Sequence, residues 1–157
     1  MPDACPPGGG PVSCRQAALR FLKIRPRSIF ELQGKLQDKG FTSEDIQAAV
    51  RYLLDIKLLD DRAFTVSWIQ YRLARPFGFR RICRELKDKG VAQELIDQSI
   101  EEVKGEYSEA SVVFELAQRK AQRLMGIDPQ KRKKRIFDFL IRRGFPVDMA
   151  MKAIKKV

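Results

Sequence analysis

The chain has 157 residues, of which 31 are Lys or Arg, 20 are Asp or Glu and none is His, so its formal net charge is +11 at pH 7. The absence of histidine removes the commonest general base and metal ligand, which disfavours most hydrolytic and metal-dependent enzymes. The positive charge favours an acidic partner, such as nucleic acid, a nucleoprotein or an anionic surface. Three widely separated cysteines predict no disulfide framework, and we therefore expect a reducing, cytoplasmic location.

The amino-terminal segment differs in composition from the rest of the chain. Residues 1–13 contain four prolines and three glycines, which predicts a disordered tail and not an apolar signal peptide. Elsewhere no apolar run approaches the roughly 20 residues that a membrane-spanning helix needs. We therefore expect no membrane partner.

The remainder of the chain has the apolar periodicity of helices, and no stretch alternates in the manner of a strand. Serine, threonine or aspartate precedes most of the periodic segments, and proline or glycine follows many of them, as is typical of helix ends. The helices predicted on this basis cover residues 14–25, 28–39, 43–57, 60–75, 78–89, 93–104, 108–125, 131–143 and 147–156.

One short pattern occurs three times, at residues 36–41, 86–91 and 140–145. In each copy a leucine is followed four residues later by glycine and then by Phe or Val. Apolar residues at i, i+3, i+4 and i+7 surround each copy, which is the spacing of one helix face. Glycine adopts the left-handed conformation that closes a helix, so each copy predicts a helix, a tight turn and a second helix.

Each of these units has room for one more helix in front of it. The sequence therefore predicts an all-α fold built as a tandem array of three three-helix repeats, and internal repeats of this length are typical of elongated, curved arrays. The predicted repeats cover residues 14–59, 60–105 and 106–157, and each contains a helix-turn-helix-like unit. We expect the chain to be a monomer.

Few residues of the sequence suit catalysis, and we predict no catalytic, cofactor-binding or metal-binding residues. Cys5 and Cys14 have no further cysteine pair at zinc spacing, and Cys83 falls beside the apolar face of its helix, where a small buried side chain is expected. The three glycines within the tail lie beside no strand or helix pattern, unlike a phosphate-binding loop. Helix capping and solvated faces account for the paired acidic residues at 60–61 and 101–102.

Arginines and aromatic residues are interleaved between residues 68 and 84. The first basic patch consists of Arg72, Arg75, Arg80, Arg81 and Arg84. Aromatic rings beside guanidinium groups suit single-stranded nucleic acid or a phosphate-lined groove. The spacing of Trp68 and Phe79, however, predicts that these rings pack in the core. For the arginines, a binding role and a merely solvated face both remain open.

A second group of cations lies in the third predicted repeat, where 13 basic residues face only 6 acidic ones. The second basic patch consists of Arg119, Lys120, Arg123, Lys131, Arg132, Lys133, Lys134 and Arg135. Five consecutive basic residues wrap around a helix and repel one another unless an anion lies nearby. We therefore expect this patch to contact DNA phosphate or an acidic protein surface.

The three repeats, their order and the motifs within them resemble the RecX family. The resemblance rests on the 58–61 junction Leu-Leu-Asp-Asp followed by Phe64, on the pattern from Gly78 to Val91, and on residues 142–145 in the third unit. It covers residues 17–157, whereas the proline-rich tail has no counterpart in the family pattern. The resemblance implies a curved array of three-helix modules that binds the filament of the RecA recombinase on DNA and mostly inhibits it.

The alternative function is a nonspecific DNA-binding protein built from helix-turn-helix units. A recognition helix usually presents basic and amide side chains to the base edges. The second helix of the first unit, residues 43–57, instead carries three acidic residues and two basic ones. We therefore favour a regulator that contacts DNA mainly within the filament and without reading its sequence.

Overall fold

The structure of the protein is a computed structural model that describes residues 12–157. These residues form nine α-helices and no strand, so the predicted all-α class is confirmed. The predicted tail lies outside the described residues except for its last two. In chain order the helices are α1 (Cys14–Ile24), α2 (Ile29–Asp38), α3 (Ser43–Asp55), α4 (Asp61–Leu73), α5 (Phe79–Asp88), α6 (Gln93–Lys104), α7 (Glu109–Arg123), α8 (Pro129–Arg142) and α9 (Val147–Ile154).

Side-chain caps begin most of these helices where the sequence predicts them. The Ser28 Oγ accepts a hydrogen bond from the Glu31 N–H at 3.1 Å, and the Glu31 carboxylate accepts one from the Ser28 N–H, as in a capping box. Asp128 accepts from the Lys131 N–H at 3.0 Å, and Pro129 stands in the first turn of α8, where the sequence predicts a cap followed by a proline. Side-chain caps also begin three other helices, at Ser13, Thr42 and Ser108.

The three repeated glycine turns adopt the predicted conformation. Gly40 has a φ of +84°, and the Phe41 N–H donates to the Leu36 carbonyl at 3.3 Å, the longer bond of a Schellman motif. The corresponding glycines at positions 90 and 144 have φ values of +71° and +88° and the same bond pattern. Each repeat pattern is therefore a pair of helices closed by a left-handed residue.

The described chain divides into two compact units, one ending at Phe64 and the other comprising Thr65–Val157. In the first unit, α1, α2 and α3 enclose a core that includes Ala18 and Leu36. The apolar spacing of α1 predicts inward side chains at positions 18, 19 and 22, but Leu19 is 37% exposed. The buried face of α1 follows positions 14, 18 and 22, and Leu19 lies about 100° further round the helix than Ala18.

The second unit contains the remaining helices and has its apolar side chains on the predicted faces. In α5 and α6 the fully buried residues include Ile82, Leu86 and Ile96. In α7, α8 and α9 a continuous core surrounds Ile136, Leu140 and the turn residue at position 145. The helix faces predicted from periodicity are therefore the faces that exclude water.

The first helix of one repeat completes the second helix of the repeat before it. In the first unit, the Asp61 carboxylate at the start of α4 accepts a hydrogen bond from the Ile29 N–H at 2.8 Å. In the second unit, the Glu109 carboxylate at the start of α7 accepts one from the Phe79 N–H at 2.7 Å. Both bonds satisfy an amide that has no partner within its own helix.

Two glycines bring the start of α5 against the turn that follows α8. The Gly78 N–H donates to the Arg143 carbonyl at 2.9 Å. A Cβ on Gly78 would overlap the carbonyl of Gly144, and a Cβ on Gly144 would overlap the side chain of Arg81. The absence of both side chains therefore allows direct backbone packing between these two segments of the second unit.

Candidate nucleic-acid interface

Two arginines of the first basic patch are held in ion pairs within the protein, whereas the other three are exposed. Arg72 on α4 and Arg81 on α5 both pair with Glu85, with Nε–O distances of 2.6 and 3.0 Å. All three side chains are largely shielded from solvent, and that of Glu85 is only 16% exposed. The expectation that Arg81 is an exposed charge is therefore wrong, because it is held in an ion-pair cluster within the protein.

Aromatic rings surround this ion-pair cluster. The Trp68 indole N–H donates to the Glu85 carboxylate at 3.2 Å, and the Arg72 guanidinium lies 4.7 Å from the centre of the Trp68 ring. The Arg81 guanidinium lies 4.3 Å from the centre of the Phe77 ring. Planar guanidinium groups stack on such rings while retaining hydrogen bonds in their own plane. The cluster therefore fixes α4 against α5.

Arg143 joins the segment between α4 and α5 to the end of α8. Its guanidinium donates to the carbonyls of Arg75 and Pro76 at 3.0 and 3.1 Å. The same group lies 5.3 Å from the Phe77 ring and 4.8 Å from the Phe139 ring. Burial, and then the nearby charge of Arg81, lower the pKa of Arg143. This arginine stays cationic at neutral pH because its ordinary pKa is far above 7.

These residues form one wall of an open cavity of about 490 Å³, which we call the basic cleft. Its cations come from the α4–α5 segment, from α7 and from the end of α8, and its apolar lining comes from the same three places. The cationic residues are Arg75, Arg119, Lys120, Arg123 and Arg143. The apolar residues are Pro76, Phe77, Leu116 and Phe139.

The chemistry of the basic cleft favours an anion that also carries an apolar group. No acidic residue lines it, although Glu115 pairs with Arg119 at 3.4 Å on the exposed surface of α7. The Lys120 ammonium lies 5.2 Å from the centre of the Phe139 ring. Exposed ion pairs contribute little, so Arg119 can exchange its partner for a phosphate. The cleft thus offers cations around a half-buried aromatic surface.

The structure brings together only part of the two predicted patches. Arg75 from the first patch lies with three cations of α7 from the second patch. Arg80 and Arg84 are exposed on α5 and do not line the cleft. On α8 the residues at 131, 133, 134 and 135 are exposed and Arg132 is half-buried, and none of the five lines the cleft.

The prediction of core aromatics holds for some rings and not for others. Phe79 is buried, as expected, and packs edge-on against Tyr107 with ring centres 5.5 Å apart. Trp68, by contrast, is half-buried beside the ion-pair cluster. Phe77 is also half-buried and lines the basic cleft. Phe139 and Arg143 line the cleft although the sequence did not predict them as site residues. The signal available for Arg143 was a basic residue before a turn glycine, which also describes Lys39 and Lys89.

Other candidate chemistry is limited in the described part of the chain. Cys14 is buried and Cys83 half-buried, and burial raises the pKa of both thiols, which disfavours the nucleophilic thiolate form. Among residues 12–157 no group of three or more His, Cys, Asp or Glu side chains is placed to hold a metal ion. None of the helices there has the length and apolar character needed to span a bilayer.

Comparison with known protein families identifies the relatives of the chain. Residues 14–53, 60–100 and 108–154 match, in this order, the first, second and third three-helix domains of RecX. The chain belongs to the RecX family. The regulatory protein RecX of Chlorobium limicola is 37% identical over 82% of this chain and 79% of its own length. That of Vibrio campbellii is 33% identical over 91% of this chain and 90% of its own.

Solved RecX structures have the same fold. The crystal structure of RecX from Lactobacillus salivarius superposes with a TM-score of 0.76 at 20% sequence identity, over 91% of this chain and 93% of that one. A second crystal structure of a regulatory protein RecX gives a TM-score of 0.77 at 21% identity. The resemblance to the RecX family is therefore confirmed, as is the presence of three three-helix domains.

Proposed function

We propose that this chain binds the RecA–DNA filament and inhibits the ATPase, recombinase and coprotease activities of RecA. It would act in the cytoplasm, during homologous recombination and the SOS response to DNA damage. Membership of the RecX family, whose curated members are named regulatory proteins, supports this proposal.

The basic cleft is the observation that carries the proposal. It places five cations around two aromatic rings without an opposing carboxylate in its lining. Such a surface binds phosphates without reading base sequence, as a protein lying along a nucleoprotein filament requires. The exposed cations of α8 add positive charge in the same unit. We therefore assign the filament's DNA to this surface and predict weak, sequence-tolerant binding that weakens steeply with salt.

The first test compares binding to preassembled RecA–single-stranded-DNA filaments with binding to bare DNA and to bare RecA. We expect co-sedimentation with the filament to exceed that with either component. At a concentration below that of RecA, the protein should also reduce DNA-dependent ATP hydrolysis and strand exchange. Both effects should survive a large excess of free single-stranded DNA, because the best site exists only where RecA and DNA are together.

The second candidate function, nonspecific DNA binding, predicts a different result in the same assay. A competitor that only coats DNA would lose its inhibition in proportion to the free DNA added. Binding to one duplex sequence that persists at high salt would instead favour a helix-turn-helix protein with base contacts. Either result would contradict filament-specific regulation.

Substitution of cations tests which surface carries the interaction. Arg119→Ser with Arg123→Ser removes two exposed charges from the basic cleft and should weaken filament binding several-fold at low salt. The matched control, Lys152→Ser with Lys155→Ser, removes two exposed charges at the end of α9, outside both patches, and should have little effect. Circular dichroism should show unchanged helicity for both variants, because exposed charges contribute little to folding.

The exposed α8 cations require a separate variant, in which Lys131, Lys133, Lys134 and Arg135 are all replaced by serine. We expect it to weaken filament binding as well, without loss of helicity. Point variants are preferable to removing the third repeat, because truncation before Ser108 would also remove Glu109 and Arg143, which bind residues of the second repeat. If neither cation set alters filament binding, the charged surface has no part in the function.

A further inference from the structure

The two phenylalanines of the basic cleft are not explained by phosphate binding alone. Phe77 and Phe139 are half-buried and both line the cleft. Arg143 lies between them, 5.3 and 4.8 Å from their ring centres, and is fixed by its hydrogen bonds to two backbone carbonyls. Because the rings and the guanidinium are held by the fold, the cleft presents a preformed stacking surface beside its cations.

Each part of this surface selects a feature of the ligand. The exposed cations Arg75, Arg119 and Arg123 select negative charge. The rings select a flat apolar group, because aromatic faces and guanidinium planes are the usual stacking partners of an unstacked base. An acidic peptide would pair with the cations but would offer no flat group to stack on Phe139. A nucleotide satisfies both features at once.

The size and openness of the cleft favour single-stranded over duplex nucleic acid. Its volume of about 490 Å³ lies within the range of about 300–1,000 Å³ that is usual for sites of small ligands. In a duplex each base is stacked and paired, so it cannot enter such a cleft without being unstacked. A flexible single strand can turn one base inward while its neighbouring phosphates stay on the rim.

We propose that the basic cleft binds one unstacked nucleotide of single-stranded DNA. Its base stacks on Phe139, next to the Arg143 guanidinium, and the adjacent phosphates contact Arg75, Arg119 and Arg123. The inference rests on the proposed function in so far as this strand is the DNA of the filament. It adds that the base itself, whatever its identity, contributes to affinity.

The test on the unaltered protein compares three labelled ligands by fluorescence anisotropy at low salt. They are an oligothymidylate, an abasic oligonucleotide of the same length and a duplex of the same length. Stacking of one base on an aromatic surface changes affinity by about tenfold. We therefore expect the oligothymidylate to bind about tenfold more tightly than the abasic strand. Equal affinity for these two ligands would overturn the proposal.

Variants then place the effect in the cleft. Phe139→Leu preserves an apolar side chain but removes the ring, and should weaken oligothymidylate binding about tenfold while changing abasic binding less than twofold. The matched control is Phe114→Leu on α7, where a half-buried phenylalanine also lies near a lysine but does not line the cleft. Its affinity for both ligands should be unchanged. Equal losses in the two variants would also contradict a stacking site.

Three further outcomes test the nucleotide site and separate it from the proposed function. If polyglutamate competes as strongly as oligothymidylate of equal charge, the cleft selects acidic chains and the nucleotide site is excluded. If the abasic and base-containing strands bind equally while the protein still inhibits RecA in excess DNA, the base site fails and filament regulation stands. Base-dependent binding without filament inhibition would support the nucleotide site and contradict the regulator.

Discussion

The turns at Gly40 and Gly144 have the same backbone and very different surroundings. Their φ values are +84° and +88°, and the residue after each donates to a leucine carbonyl five positions earlier at 3.3 Å. No atom lies within 4 Å of the place where a Cβ on Gly40 would stand. A Cβ on Gly144 would stand 2.6 Å from the backbone nitrogen of Arg81, which lies on another repeat.

The contrast separates two reasons for a glycine in a repeated motif. At Gly40 only the left-handed conformation excludes other residues, because the space beside it is open. At Gly144 both the conformation and the packing exclude them, since the turn lies against α5. Identical local patterns therefore make unequal contributions to stability when one of them also forms a contact between repeats.

The largest expected effect is that of Gly144→Ala. The new methyl group would have to displace the backbone of α5 in addition to adopting a left-handed conformation, so we expect a loss of about 3–4 kcal/mol in the free energy of unfolding. Gly78→Ala should cost about 2–3 kcal/mol, because its Cβ would stand 2.7 Å from the nitrogen of Phe145 although its backbone is not left-handed. Urea denaturation followed by circular dichroism measures both.

The control for this prediction is Gly34→Ala, within α2. The space around Gly34 is open and its backbone is helical, so alanine should raise stability by about 1 kcal/mol. If Gly144→Ala and Gly78→Ala destabilise the protein no more than a solvent-exposed turn substitution would, then the backbone contact at the second and third repeats is not tight.

The paired carboxylate caps should show the next largest effect. Glu109→Ala and Asp61→Ala each leave a helix amide without its acceptor and should cost about 1–2 kcal/mol. Similar losses in the two variants would show that the same type of hydrogen bond stabilises both pairs of consecutive repeats, although their turns have different surroundings. Glu109→Gln retains an acceptor oxygen and should lose less than the alanine variant.

The pH dependence of stability provides an independent check on Glu109. Burial raises the pKa of its carboxyl above the usual 4.5, despite the opposing hydrogen bond from Phe79. The folded state thus favours the neutral form of Glu109. The stability that this preference contributes is fully present below pH 4.5 and is lost as the pH rises through the pKa of the folded state. Relative to the glutamine variant, the unaltered protein should lose stability over this interval. A difference in the free energy of unfolding between the two proteins that does not change with pH would contradict the burial of Glu109.

A smaller effect is expected at the open turn. Gly40→Ala introduces left-handed strain but no overlap, and should cost about 1 kcal/mol. Gly40→Ala and Gly144→Ala are compared under the same solvent conditions. The expected difference of about 2–3 kcal/mol between their free energies of unfolding measures the overlap of the new methyl group with α5. A melting temperature that is unchanged or higher for Gly40→Ala would show that the left-handed residue is not under steric constraint.

The smallest effect is predicted for Tyr107, which packs on Phe79 in the same region as Glu109. Its hydroxyl is buried and has no hydrogen-bond partner among the described residues, so Tyr107→Phe should raise stability by up to about 1 kcal/mol. Burial, and then the charge of Glu109, raise the pKa of Tyr107 to about 12. The stability that this raised pKa contributes is present below pH 10 and is lost towards pH 12. The phenylalanine variant should not show this loss of stability. A phenolic absorbance change near pH 10 that is present in the unaltered protein and missing from the phenylalanine variant would contradict this assignment.

Local features of the fold could be predicted from the sequence because they depend on residues a few positions apart. The capping box of Ser28 and Glu31 and the turn at Gly40 each involve neighbours within one or two turns of helix. Helix faces followed from periodicity for the same reason. The error at Leu19 arose where the spacing allowed two adjacent faces and only packing selects one.

The candidate site depends on long-range contacts, which local patterns do not contain. Arg143 binds the carbonyls of residues 67 and 68 positions earlier in the chain, and nothing in its neighbourhood distinguishes it from Lys39. Arg81 was expected to be exposed because it belongs to a run of basic residues. Its partner Glu85 and the Phe77 ring are each four positions away in the sequence, but the Arg142 carbonyl of α8, to which it donates a hydrogen bond, is 61 positions away.

The caps formed by Asp61 and Glu109 have a consequence for synthesis of the protein. A ribosome releases the chain from its amino terminus, so α2 emerges about thirty residues before the carboxylate that completes its first turn. The same delay separates α5 from Glu109. Each repeat thus reaches its final stability only when the next one has begun to emerge, and an interrupted nascent chain ends in a partly finished module.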